Sequence, residues 1–302
     1  MTRRQLDSVS DLLRNAPLDL GGDVEKMRRV FDEMLGSAPL PDDVRTRATE
    51  LGGVPAVEVL AGPTRPGAST VLYFHGGAYA MGSAAASVGL VSEIARRTAA
   101  TTHSADYRLA PEHPFPAAVD DALAAYRALL EQGIPAASIA VVGESAGGGL
   151  ALALLLAIRD AELPQPSCAA VLSPWADLTQ SGSTMRTRAD EDPALTREAL
   201  ETRAADYLAD ADPRTPLASP LHADLRGLPP LLIQVGGREI LLDDAVRLAA
   251  RAAHADVPVT LRTFPGAPHV FQGFAPVVDE AARALDQVAA FINSHVDAEG
   301  WA

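Results

Sequence analysis

Apolar positions along the chain follow two rhythms. Short, nearly continuous apolar runs at 56–60, 70–74, 101–106, 139–142, 169–172, 231–235 and 259–264 read as strands, and segments of helical spacing at 86–99, 117–132, 146–160, 243–255 and 278–296 lie between and after them. Strands without an exposed polar alternation, separated by helices, predict an α/β fold with a mostly parallel sheet covered on both faces. Two stretches depart from the rhythm. From Thr2 to about Val44 the pattern is helical and modestly amphipathic, with Leu6, Val9, Leu12 and Leu13 on one face and Val24, Met27, Val30, Phe31 and Leu35 on another, interrupted by Pro17 and the Gly21-Gly22 pair. Between Asp177 and Pro230 there is no strand pattern, only polar helix-forming sequence such as 196–208 bounded by prolines. Both read as parts of one helical cap. The domain reading is therefore residues 1–44 as N-terminal cap helices and 45–302 as the main α/β domain, with a cap insertion at about 180–225.

Composition narrows the possibilities. The 302 residues are 48% hydrophobic, enough for a large core, and carry 39 acidic against 25 basic side chains for a net charge of −14. That balance, with no Lys/Arg cluster, argues against nucleic acid or stable association with an anionic membrane. The lone Cys168 sits in an apolar run and reads as a small buried hydrophobe. Residues 1–15 have no apolar core of the signal-peptide kind, and helix 146–158, the most apolar segment, is too short to span a bilayer, so a cytoplasmic location is expected.

Chemistry concentrates at Gly143-Glu144-Ser145-Ala146-Gly147, placed between the strand Ile139–Val142 and the apolar helix that follows. Small residues two before and two after a serine fit a strained turn that lifts its Oγ clear of the sheet, with the helix N-terminus directly behind it. Ser145 is the candidate nucleophile. A glycine-rich loop, His75-Gly76-Gly77-Ala78-Tyr79, follows the strand Thr70–Phe74, and the backbone N–H groups of Gly76, Gly77 and Ala146 are candidate oxyanion donors. Of seven histidines, His269 follows the strand Val259–Phe264 through a Pro-Gly-Ala-Pro loop and is the candidate base; His75 fixes its own loop, and the others read as structural or exposed. Two carboxylates after the strand Leu231–Val235 compete as the acid that orients the base. Glu239 lies in the loop, whereas Asp243 falls in the first turn of the next helix, where an aspartate needs no catalytic explanation. Tyr79 and Trp175 are candidate walls of a substrate pocket.

Taken with Asp106-Tyr107-Arg108-Leu109-Ala110-Pro111-Glu112, Phe115-Pro116-Ala117, Ser173-Pro174-Trp175 and Pro268-His269, these motifs resemble the hormone-sensitive-lipase family of microbial esterases, and most closely its bacterial acetylhydrolases and ε-lactone hydrolases. The resemblance runs from about residue 50 to the C-terminus. It implies an α/β-hydrolase fold with a helical cap, a Ser145–Glu239–His269 triad, an oxyanion hole at Gly76, Gly77 and Ala146, and hydrolysis of short-chain acyl esters through an acyl-enzyme with no cofactor or metal. It also implies a possible homodimer through an edge strand. Two departures stand out: Ala78 where many members have glycine, and glutamate at 144 and 239 where aspartate is usual. Two other readings stay open at this point, a lactone hydrolase or amide deacetylase with the same triad, and a non-catalytic small-molecule receptor on the same fold. Receptors of the latter kind lack the catalytic histidine, and His269 is present.

Overall fold

The computed structural model describes residues 2–36, 40–62 and 69–296. Its sheet has eight strands: β1 (Val44–Leu51), β2 (Val54–Ala61), β3 (Thr70–Phe74), β4 (Thr101–Ala105), β5 (Ile139–Glu144), β6 (Cys168–Leu172), β7 (Leu231–Gly236) and β8 (Val259–Phe264). The helices are α1 (Thr2–Arg14), α2 (Val24–Gly36), α3 (Val88–Thr98), α4 (Ala117–Glu131), α5 (Ala146–Asp160), α6 (Thr184–Thr187), α7 (Arg197–Leu208), α8 (Leu242–His254) and α9 (Asp279–His295). Strand order is β1-β2-β4-β3-β5-β6-β7-β8, with β1, β2 and β4 joined antiparallel and the remaining pairs parallel.

The continuous apolar runs of β3, β5, β6 and β7 split strictly by pleat. Leu72, Phe74, Val141, Ala169, Val171 and Ile233 face α4, α5 and α8, while Val71, Tyr73, Ala140, Val142, Cys168 and Ala170 face α3 and α9. Both faces are covered, so no polar alternation survives in the sequence. Residues 146–158 of α5 are all buried, which explains a helix hydrophobic all round.

Two findings revise the expected layout. The segment ending at Val44 was expected to precede the first strand near Ala56, but Val44–Leu51 forms a full edge strand against β2. Five of its eight residues are Arg, Thr or Glu and four consecutive positions are exposed, so the strand carries little apolar signal; charge along an edge also discourages pairing with another chain. The N-terminal helices divide their allegiance. On α1, Leu6 and Val9 join the α3–α9 side of the core, while α2 contributes Met27 to the opposite core beside α7 and the loop after β3. Arg203 of α7 donates through Nη2 to the Gly22 carbonyl at 3.2 Å, tying the insertion to the turn before α2. Residues 1, 37–39, 63–68 and 297–302 of the ranges given above lie outside the described residues.

Candidate active site

Ser145 stands where β5 becomes α5, at φ 53 and ψ −122. This left-handed conformation reverses the chain sharply and needs empty space on both sides. A Cβ on Gly143 would lie 2.1 Å from the Gly147 carbonyl oxygen, and one on Gly147 would lie 2.1 Å from the Phe74 carbonyl oxygen. The two flanking glycines are thus required by backbone contact, one within the turn and one against the neighbouring strand β3.

Three strand ends converge on the serine. His269 arrives after β8, with Nε2 2.9 Å from Ser145 Oγ and Nδ1 2.6 Å from Glu239 Oε2. A carboxylate can only accept, so Nδ1 carries the proton and Nε2 is left to accept from the serine hydroxyl. The loops bearing acid and base are laced together: Gly237 N–H donates to the Phe264 carbonyl at 2.9 Å, and Arg238 N–H to the Ala267 carbonyl at 3.0 Å. Asp243 is elsewhere. Its Oδ2 accepts from Ser183 N–H at 2.6 Å and lies 3.7 Å from Arg247 Nε, which makes it an anchor between α8 and the insertion.

Burial pulls the His269 imidazole toward neutrality, but the Glu239 carboxylate, helped by Asp192 and Glu144, outweighs it and raises the pKa above the ordinary 6.5. Asp192, from the insertion, was not singled out by sequence reasoning. It accepts from Ile240 N–H at 2.8 Å and from the N–H groups of Ala194 and Leu195, both at 2.9 Å, so it braces the residue next to Glu239. Only its Asp-Pro context marks it in the sequence.

On the opposite side of Ser145 lie the loop 75–79 and the α5 N-terminus. The N–H groups of Gly77 and Ala146 have no acceptor among the described residues, so two of the three expected oxyanion donors are free. Gly76 differs from expectation: its N–H donates to Glu144 Oε1 at 3.0 Å. The reason is the depth of Glu144, whose carboxyl burial raises its pKa and which takes the nearest backbone donor. His75 holds the loop as expected, with Nδ1 2.7 Å from the Gly76 carbonyl and its ring stacked on Tyr107, whose hydroxyl donates to the His75 carbonyl. Burial lowers the His75 pKa below the ordinary 6.5. Tyr79 and Trp175 are fully buried, with Trp175 tilted against Tyr79, the Tyr79 and Tyr207 rings stacked at 3.8 Å and Phe115 edge-on to Tyr207.

Residues 71–273 match a family profile described as alpha/beta hydrolase fold, about two thirds of the chain. The structure superposes on that of an esterase from the bacterial hormone-sensitive lipase family with a TM-score of 0.94 and 42% identity, covering 97% of this chain and 99% of the other. The chain is an enzyme of the hormone-sensitive-lipase family of α/β hydrolases. It is also similar to an acetyl-hydrolase of Streptomyces hygroscopicus, 43% identical over 97% of this chain and 98% of its own. An esterase of Acinetobacter venetianus is 38% identical over 89% of this chain and 88% of its own. A further hormone-sensitive lipase, from a metagenome library, has a TM-score of 0.93 at 38% identity, covering 98% and 99% of the two chains.

Proposed function

We propose that this hydrolase is a serine carboxylesterase that cleaves short-chain acyl esters through an acyl-enzyme. The observation that carries the proposal is the continuous hydrogen-bond chain Ser145 Oγ–His269–Glu239, at 2.9 and 2.6 Å, facing the unpartnered N–H groups of Gly77 and Ala146. In the first half-reaction His269 Nε2 takes the hydroxyl proton as Oγ attacks the ester carbonyl. The new oxyanion is met by the Gly77 and Ala146 N–H groups and by the positive end of the α5 dipole, while Glu144 holds Gly76 and so fixes the loop that presents Gly77. His269 then protonates the leaving alcohol, and a water attacks the acyl-enzyme by the same route in reverse. Glu239 keeps the imidazole oriented and stabilises its cation in both halves.

The restriction to short acyl groups is supported by the aromatic packing beside the elbow. A Cβ on Gly149, one turn beyond Ser145, would lie 2.3 Å from the Trp175 carbonyl oxygen and 2.7 Å from the Tyr79 hydroxyl, so Tyr79 and the Trp175 backbone pack directly on α5 one turn beyond the nucleophile. The names of the similar proteins, acetyl-hydrolase and esterase, agree with this reading. Hydrolysis of p-nitrophenyl esters of increasing acyl length by the native protein and Ser145→Ala tests it. Turnover of acetyl and butyryl esters, falling steeply beyond hexanoyl and absent in Ser145→Ala, is expected; no turnover above the Ser145→Ala background overturns it.

A further inference from the structure

The acid of the triad is a glutamate, and a glutamate has one more rotatable bond than an aspartate over which its carboxylate must be kept still. One carboxylate oxygen, Oε2, is committed to His269; the position of the head group then depends on what holds Oε1. Two donors do so. Gly236 N–H reaches Oε1 at 2.6 Å and Ser173 Oγ at 2.7 Å. The first belongs to the same strand end as Glu239, three residues before it, and moves with it. The second comes from the end of the adjacent strand β6 and supplies an independent reference point.

The same hydroxyl has a second task. Ser173 Oγ accepts from the N–H of Val270, the residue after His269, at 3.2 Å. Its single proton goes to the acid and its lone pair to the loop of the base, so one side chain spans both loops. The backbone is placed for this: Ser173 sits at φ 48, with its N–H donating to the Gln234 carbonyl of β7 at 2.7 Å, and it is fully buried. A left-handed, buried serine directly after a strand is costly unless its side chain has a purpose. Trp175 N–H donates to the Ser145 carbonyl at 2.9 Å, so the short segment after β6 touches the chain at all three triad positions or their neighbours.

We propose that Ser173 is the positioning residue of the triad: its hydroxyl fixes the Glu239 carboxylate on His269 Nδ1 and registers the acid loop against the loop carrying His269. This rests on the triad reading given above. Ser173 touches no reacting atom; its proton acts through Glu239 alone, while its bond to Val270 N–H acts on the His269 loop directly, so its removal costs less once the acid is gone.

That condition gives the test. Ser173→Ala and Ser173→Gly are each made in the native protein and in Glu239→Ala, and kcat and KM are measured with p-nitrophenyl acetate. Glycine adopts a positive φ freely, so Ser173→Gly removes the hydroxyl while relieving the backbone and serves if the alanine variant does not fold. The expected result is a fall in kcat of about tenfold in the native background, with KM within about twofold, and a clearly smaller fold-loss in Glu239→Ala, where only the contact to the His269 loop remains to be lost. An equal fold-loss in both backgrounds, or kcat within about twofold of native in the first, overturns the proposal. Proton NMR of the low-field Nδ1–H resonance of His269, recorded without substrate, separates this from the esterase reading. If the native protein hydrolyses no ester beyond the Ser145→Ala background, that reading fails, and the resonance decides on Ser173: a shift or broadening in both serine variants supports the positioning role, and an unchanged line overturns it.

Discussion

At the scale of single residues, the two carboxylates that compete in the sequence are separated by what they touch. Glu239→Ala is expected to lower kcat by on the order of 10⁴-fold, since it removes both the orientation of the imidazole and the counter-charge to its cation. Asp243→Ala leaves kcat within about threefold but lowers the melting temperature, because Ser183 N–H then loses its acceptor, a cost of about 1 kcal/mol. Steady-state kinetics and thermal melts of the two variants check both outcomes. The raised pKa of His269 has a definite sign for activity: the imidazole must be neutral to act as base, so kcat/KM climbs with pH through a midpoint above 6.5. In Glu239→Gln the burial that lowers the pKa is no longer outweighed, and the midpoint of the residual activity moves down; a pH–rate profile that stays in place contradicts this cause. Ser145 and His269 were legible because each lies in a local pattern, an elbow and a loop at a strand end. The partner of Gly76 and the contacts of Ser173 were not. They join positions 68 and 66 residues apart, and nothing local to Gly76 announces that its N–H meets a carboxylate from the elbow.

At the scale of elements, the cores of β3, β5, β6, β7 and α5 could be read directly, because burial on both faces leaves an uninterrupted apolar run. The β1 edge could not, since its solvent-facing Arg, Thr and Glu side chains erase the apolar pattern that marks the other strands. The role of α2 was equally hidden. Arg28 of α2 donates through Nε to the Ala80 carbonyl and through Nη2 to the Ala110 carbonyl, each at 2.8 Å, while its guanidinium grips Glu112 at 2.9 and 2.6 Å. That bond to Arg28 holds the Glu112 carboxyl down at about 2. One planar side chain therefore clamps the far end of the loop whose near end presents Gly77. Arg28→Ala should reduce kcat/KM by about tenfold through a misplaced oxyanion donor, and Arg28→Lys should not restore it, because an ammonium cannot span the same fork. Esterase kinetics on both variants, with near-native circular dichroism as the control, distinguish this from unfolding.

At the scale of the whole molecule, the segment between β6 and β7 is fastened to α8 by a buried charge cluster. Asp177 accepts from Thr179, Ser181 and Arg247, and His222 Nε2 lies 3.0 Å from it; Asp244 accepts from the N–H groups of Ala176 and Asp177 and also pairs with Arg247. Burial, with the nearby Asp177 charge, pushes Asp244 up to about 7, whereas its hydroxyl and cationic partners overcome burial to hold Asp177 well below the usual carboxylate range. The sign follows from proton counting. Between about pH 4 and pH 7 the folded chain holds a proton on Asp244 that the unfolded chain has released, so this group's contribution to stability declines as pH rises through that window. Asp244→Asn, which mimics the neutral acid, should therefore gain in melting temperature relative to the native protein from pH 5 to pH 8. A constant difference across that range would refute the assignment. The proposed triad is borne by the ends of β5, β7 and β8, with β6 supplying the segment between them, and these four strands pair consecutively in parallel. Parallel pairing closes long loops and is intrinsically slow. Ser145, which follows β5, and His269, which follows β8, meet only when β6 and β7 are paired between them, so the return of turnover during refolding is expected to report the docking of β8 onto β7.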